Sequence, residues 1–372
     1  MKVAYIHDWL ITFAGAEKVL EAMLETVRGE KIYTLFYKPD NFKNSKISEY
    51  EIETSPLNLL PEVHKYYRML LPLMPFAVEW FNLGNYDLII SSNHAVAKGV
   101  IVFPHQKHIC YTHTPIRYAW DLTYEYLNSV PKPLRPLAHA LLHNIRTWDY
   151  ITSTRVDVFI ANSKTVAKRI KRYYGRDSVI IYPPVDVEKF RVSENHGDYF
   201  ITVSRLVPYK RVEILVEAFN KLGLKFLVVG DGPEIGRIKD IAAKNVEVLG
   251  WVDEKTLIEL LSNARAFVYA AYEDFGISPV EAMASGLPVI AYGYGGTSET
   301  VINGETGIFF YEQTPNAVID AIKEFIRVED KFDRKRIKER SLKFGKERFK
   351  REFAEIINGV MEDLPHDKMR RD

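Results

Sequence analysis

At 372 residues the chain is longer than one hydrophobic core usually organises, so two domains of roughly 150–200 residues each are expected. A composition of 47% hydrophobic and 27% charged residues excludes a disordered chain, and a net charge of +1 argues against a nucleic-acid binder, which is usually clearly basic. The lone Cys110 excludes an intrachain disulfide framework, and no uncharged apolar run approaches the ~20 residues of a membrane-spanning helix.

The opening MKVAYIHDWL carries one lysine and a short apolar run interrupted by His-Asp. It reads as a first strand rather than a signal peptide, so a cytoplasmic location is expected, with contact at the inner face of a membrane left open. Ala16 to Val27 then shows apolar residues three and four apart, the period of a helix. Strand-like runs follow at Lys31–Tyr37, Asp87–Ser92, His108–His113 and Val156–Ser163, with helical segments at Leu134–Tyr150 and Lys164–Tyr174. Strands alternating with helices imply a parallel sheet covered on both faces.

At IIYPPVDVEKF the pattern pauses, because Pro183 and Pro184 cannot donate to a ladder and stiffen an extended connection. It restarts with strands at Tyr199–Leu206, Lys225–Gly230, Val246–Gly250, Ala266–Ala271 and Leu287–Tyr292. The expected architecture is therefore α/β, with a first domain over 1–183 and a second over 184–345. A charged final helix within 346–372 would pack back on the first domain or within the second. In open doubly wound sheets ligands sit at the carboxyl ends of the strands, so two such domains would face a central cleft.

Two stretches at those strand ends carry chemistry. In AYEDFGISPVEAMASGLPVI, Glu273 follows a strand, and Glu281 lies in a helix that starts near Gly276. The first amides of that helix, at Gly276, Ile277 and Ser278, are donors suited to a phosphate. A carboxylate beside a diphosphate would be repelled by it, so hydroxyls of a sugar or ribose are its natural partners; a helix cap plus a solvated glutamate is the plainer alternative. In VSRLVPYKR, Arg205 and Lys210 place two cations on one loop, able to grip a diphosphate leaving group as a glycosidic bond breaks. Solvated loop cations are the alternative there. No metal ligand set is apparent: helical His pairs with glutamate, Cys pairs and Asp–any–Asp at a strand end are all missing. Gly230-Asp231-Gly232 lacks the third glycine of a dinucleotide fingerprint.

Taken together, the spacing of the two glutamates, the following AMASGLPVI, SRLVPYK, VVGDGPE (Val228–Glu234) and VEVLGWVD resemble the C-terminal half of family 4 of the retaining GT-B glycosyltransferases. HDWL, GAEKVL, DLIISSNHAVAKGV and CYTHTPIRYAWD resemble a narrower group, the bacterial O-antigen-type mannosyltransferases. The resemblance implies the GT-B fold, with two Rossmann-like domains, and a nucleotide-sugar donor, GDP-mannose in this group, with no further cofactor. It implies that Arg205, Lys210 and the amides of Gly276, Ile277 and Ser278 hold the donor's phosphates. Glu281 would take the ribose, Glu273 the transferred sugar, and Val252 would lie beside the base. His113 matches the family's histidine that reaches the donor sugar, and Gly15 its glycine-rich loop near the diphosphate. The family often has two glycines there, where this chain has Ala14-Gly15.

His7 and Asp8, ending the first strand, are candidates to orient an acceptor, and a turn role is the alternative. Arg117 and Tyr118, near His113, are further acceptor candidates. Partners implied are a nucleotide-sugar and a glycan or lipid-linked hydroxyl. The expected reaction is retaining transfer by front-face attack, without a covalent intermediate. A UDP-sugar enzyme of the same fold and a non-catalytic nucleotide-sugar-binding module are the alternatives. Residues 64–83, HKYYRMLLPLMPFAVEWFNL, mix basic, aromatic and aliphatic residues, so they suit either a membrane surface or packing against the first sheet.

Overall fold

The computed structural model of the chain describes residues 1–193 and 197–362, which form two compact units. The first takes in residues 1–182 and returns from Phe349 onward; the second is 183–348.

The first unit is built on a sheet of seven strands: β1 (Val3–His7), β2 (Lys31–Thr34), β3 (Glu51–Thr54), β4 (Leu88–Asn93), β5 (Lys107–Thr112), β6 (Val158–Ala161) and β7 (Val179–Ile180). Their order is β3-β2-β1-β4-β5-β6-β7, and every neighbouring pair is parallel. Central strands are buried on both faces, which is why VAYIH and LIISSN read as continuous runs rather than alternating ones. Register decides what meets at the carboxyl edge. His7 pairs with Ser92 and Asn93 with Thr112, so the ends of β1, β4 and β5 come level.

The helices follow local signals. Lys164–Tyr174 starts where the Ser163 hydroxyl accepts the Val166 amide and stops at Gly175, whose φ of 69° suits a residue without a side chain. The first helix, Gly15–Thr26, is preceded by Ala14 in an extended conformation (φ −141°), which any residue adopts, so alanine in place of a second glycine is not strained.

The second unit holds β8 (Phe200–Val203), β9 (Phe226–Val229), β10 (Val246–Gly250), β11 (Ala266–Tyr269), β12 (Val289–Tyr292) and β13 (Gly307–Phe310). Their order is β10-β9-β8-β11-β12-β13, again parallel throughout. Three strands escape the sequence reading, β3, β7 and β13, and each is a sheet edge. An edge strand can leave one side to solvent and needs no apolar run: EIET alternates exposed and half-buried residues, and β7 is only two residues long.

Residues 64–83 form short 3-10 turns and a brief helix, Met74–Val78. One side enters the core through Tyr67, Leu71, Met74, Val78 and Phe81. The other leaves Met69, Phe76 and Trp80 at 78%, 73% and 73% exposure.

The final helix, Lys346–Glu362, packs on the first unit; the remainder of the expected 346–372 segment lies outside the described residues. Phe349, Phe353 and Ile357 are buried in a core shared with Tyr5, Ile109 and Tyr111, and Lys350 pairs with Glu25 at 2.8 Å. Phe353→Ala should lower the stability of the first unit by about 3–5 kcal/mol, the usual cost of truncating a buried phenylalanine. Denaturant melts of the two proteins check this, and a change under about 1 kcal/mol would show that the helix is not part of that core.

Candidate functional site

In the first unit, the polar residues at the carboxyl edge form one buried network. The Asp8 carboxylate accepts four backbone N–H groups, from His94 (2.6 Å), Ala95 (2.9 Å), Val96 (2.5 Å) and Ala97 (2.7 Å). His7 lies with Nδ1 3.0 Å from Ser92 Oγ and Nε2 3.4 Å from Glu17 Oε1. Ser92 Oγ is in turn 2.8 Å from His113 Nε2. The other Glu17 oxygen accepts the Ala14 amide at 2.8 Å, tying the start of the first helix, and Gly15 with it, to the same cluster.

His7 and Asp8 therefore differ from the acceptor role considered for them. Both are fully enclosed, and their polar atoms are engaged within the fold, so each positions its neighbours instead of meeting a ligand. His113 is half-buried. Its backbone is pinned on both sides, donating to the Asn93 carbonyl at 2.8 Å and accepting from Asn162 Nδ2 at 2.9 Å. Arg117 bonds Asp121 at 3.2 Å, which Arg169 also reaches at 3.2 Å, so its charge is partly neutralised. Tyr118 is half-buried against the core with its ring 6.1 Å from that of Tyr126, and burial raises its phenol pKa above the ordinary value.

In the second unit, Arg205 follows β8 on an exposed loop and carries no ion pair among the described residues. That loop is held down by Gly230, φ 130°, where a Cβ would lie 1.9 Å from the Ser204 carbonyl oxygen; only glycine permits the approach. Lys210 and Glu273 meet directly as an ion pair. The Tyr269 hydroxyl donates to the same Glu273 oxygen at 2.8 Å, and Lys210 Nζ is 3.4 Å from that hydroxyl. Burial raises the Tyr269 pKa, so it stays a neutral donor. Gly276 has φ 88°, left-handed backbone that favours glycine, and it opens the helix Ile277–Ala284. Ile277, Ser278 and Glu281 are half-buried on that helix. Val252 sits half-buried just beyond β10, beside the exposed Trp251.

Thus Lys210 and Glu273 are brought into contact, and Gly276, Ile277, Ser278 and Glu281 share one helix start. Sequence reasoning overlooked Glu17, Ser92, His94 and Tyr269. Glu17 had a visible signal, since glutamate at the third helical position caps the preceding amide; the others are found only through strand register. Among the described residues, no group of three or more His, Cys, Asp or Glu side chains is placed to hold a metal ion.

Residues 15–189 match the family described as Glycosyltransferase Family 4, and residues 186–344 match Glycosyl transferases group 1. The chain is thus composed of a glycosyltransferase family 4 domain followed by a group 1 domain. An uncharacterized glycosyltransferase of Methanocaldococcus jannaschii is 32% identical over 204 residues, 52% of this chain and 56% of that protein. A D-inositol 3-phosphate glycosyltransferase of Rhodococcus erythropolis is 29% identical over 184 residues, 41% of this chain and 42% of that protein. The matches span about half the length of these relatives. Among solved structures, sucrose-phosphate synthase from Thermosynechococcus elongatus superposes with a TM-score of 0.74 at 18% identity, covering 97% of this chain and all (100%) of that one. Anabaena HepE in complex with UDP gives 0.70 at 18% identity, covering 96% and 100%. With its two parallel-sheet units, the chain has the GT-B fold.

The histidines give the first unit a pH dependence. Burial holds His113 well below the ordinary histidine pKa, with His94 and His7 adding to the effect, and burial also lowers His94. An unfolded histidine titrates near ~6.5, so below that pH the unfolded chain binds protons that these two refuse when folded. Their contribution is complete above about 6.5 and is lost as the pH falls. Urea midpoints should drop between pH ~7.5 and ~5.5, and by less in His113→Gln. An equal drop in the variant would remove His113 from this linkage.

Proposed function

We propose that this chain is a retaining glycosyltransferase that moves a hexosyl group from a nucleotide-sugar to a hydroxyl of a lipid-linked or oligosaccharide acceptor in the synthesis of a cell-surface polysaccharide. The observation that carries the reading is the Lys210–Glu273–Tyr269 cluster at the carboxyl ends of the second sheet, on the same edge as Arg205 and the helix start at Gly276. Cations and amides suit a diphosphate leaving group, and a carboxylate held by a neighbouring lysine and tyrosine suits sugar hydroxyls. Glu281 would take the ribose, Val252 the base and His113 the donor sugar.

Charge that develops on the leaving phosphate would be met by Arg205 and Lys210, so neither a metal nor another cofactor is required in this proposal. Neither glutamate has a place assigned beneath the sugar ring, so retention is ascribed to front-face attack, in which the leaving phosphate takes the acceptor's proton. Mannose from GDP-mannose is the first choice of donor, supported by the likeness of the first half to O-antigen-type enzymes. A UDP-sugar is the second, favoured by the neighbour solved with UDP. A thermal-shift panel of GDP- and UDP-sugars separates them, because a ligand of the folded state raises apparent stability.

Lys210→Ala and Glu273→Ala should each lower turnover by about 10²-fold or more while leaving the fold intact by circular dichroism. Turnover of enzyme dialysed against a chelator should be unchanged. Near-normal rates in both variants would defeat the assignment of the donor site.

A peripheral contact with the inner face of a membrane belongs to the same proposal, supported by exposed Met69, Phe76 and Trp80 beside Lys65 and Arg68. Phe76→Ser with Trp80→Ser should reduce co-sedimentation with anionic liposomes. Equal sedimentation of the variant, or none of the parent, would remove this part.

A further inference from the structure

The hydrogen-bond chain Glu17–His7–Ser92–His113 has one consistent assignment of protons while His7 carries a single proton. Glu17 is ionised: burial works against this, but the hydrogen bonds it accepts from His7 and from a backbone N–H hold its pKa below the ordinary glutamate value. A carboxylate only accepts, so the His7 proton must lie on Nε2, facing Glu17 Oε1 at 3.4 Å. A bare Nε2 there would set two lone pairs against each other. His7 Nδ1 is then an acceptor, and the Ser92 hydroxyl must donate to it across 3.0 Å. A hydroxyl has one proton, so toward His113 the Ser92 oxygen can only accept, across 2.8 Å, and His113 must carry its proton on Nε2. His113 is itself neutral, because burial opposes its charged form. Its Nδ1 is therefore an unprotonated acceptor; it has no partner among the described residues and is not sealed from solvent.

We propose that Glu17, acting through His7 and Ser92, is a positioning residue that fixes His113 as the Nε2–H tautomer and presents Nδ1 as an acceptor for a hydroxyl of the glycosyl donor. The ligand class rests on the assignment of His113 to the donor sugar made above; the tautomer does not. The ring that a ligand would meet is governed from the start of the first helix, because the same carboxylate caps the Ala14 amide at 2.8 Å. One carboxylate thereby links the loop ahead of Gly15 to the imidazole at the end of β5. Ionisable groups against the relay include His94, whose ring lies 5.9 Å from that of His7 and 6.1 Å from that of His113, Tyr111, whose ring lies 5.1 Å from that of His113 and whose hydroxyl donates to the Ile181 carbonyl at 2.9 Å, and Asp8, 3.1 Å from His94 Nδ1 but not aligned for a hydrogen bond. None of these displaces a proton along the chain, since Asp8 is occupied by four amides.

The test is the ring-nitrogen spectrum of isotope-labelled histidine in the 372-residue chain at neutral pH, without any nucleotide-sugar, with His113 assigned by its loss in His113→Gln. Wild type should show His113 with a protonated Nε2 and a bare Nδ1. Glu17→Gln and Ser92→Ala should each convert this to a mixture of tautomers, and Ser92→Thr, which keeps the hydroxyl, should restore the single form. Turnover in Glu17→Gln should fall about tenfold or more, the scale of losing a histidine's orienting partner. A protonated Nδ1 in wild type overturns the proposal even if neither Glu17→Gln nor Ser92→Ala folds, as does a tautomer indifferent to both substitutions. If the tautomer is as assigned but His113→Gln transfers sugar normally, the donor-sugar role fails and the relay stands.

Discussion

Four successive amides, from His94 to Ala97, converge on the carboxylate of Asp8, and the carboxyl edge of the first sheet depends on that convergence. The chain leaving β4 must turn away from the sheet, and its N–H groups would otherwise be buried without partners, at a cost of several kcal/mol. Supplying a carboxylate from the residue that follows β1 resolves this and ties two strand ends, joined by residues 86 or more positions apart in sequence. Because the β1–β4 register then sets His7 opposite Ser92, the neighbouring imidazoles and hydroxyl fall into hydrogen-bonding range without any adjustment of their own.

The two units handle charge at their strand ends in opposite ways. At those ends the first holds His113 and His94 toward the neutral form by burial and places negative charge on Asp8, which faces amides, and Glu17, which faces an amide and an imidazole. Deeper in the same unit, Lys98 and Asp149 are fully buried, and they are tolerated because they pair at 2.7 Å and Trp120 and Tyr174 bond the remaining carboxylate oxygen. The second unit leaves its charges near solvent and pairs them, Lys210 with Glu273, while Arg205 stays exposed. A paired, half-buried lysine can exchange one anionic partner for another, which a fully enclosed pair cannot do.

What was legible in the sequence follows the same physics. Central strands such as VAYIH and FLVV announce themselves because both faces must be apolar, whereas EIET at an edge has no such obligation. Arg205, Lys210 and Glu273 were legible because strand ends in this topology collect ligands, and because their order matches a family. That Lys210 and Glu273 touch, with Tyr269 as their shared neighbour, was not, since 63 residues separate the two and only the β8–β11 pairing joins them. His7 and Asp8 looked like ligand-facing groups for the same reason that Arg205 did. Burial distinguishes them, and burial at a strand end depends on what the following loop covers.

The first unit is discontinuous: the part of the helix Lys346–Glu362 that belongs to it, from Phe349, is encoded after residues 183–348. During synthesis the surface formed by Tyr5, Ile109 and Tyr111 therefore waits, uncovered, until a complete second sheet has emerged ahead of Phe349 and Phe353. At ordinary translation rates of about 5–20 residues per second that delay is on the order of ten seconds or more, long compared with the folding of a single α/β domain. The chain thus carries through this stretch of its own biogenesis an uncovered aromatic surface whose cover is encoded beyond a second complete sheet.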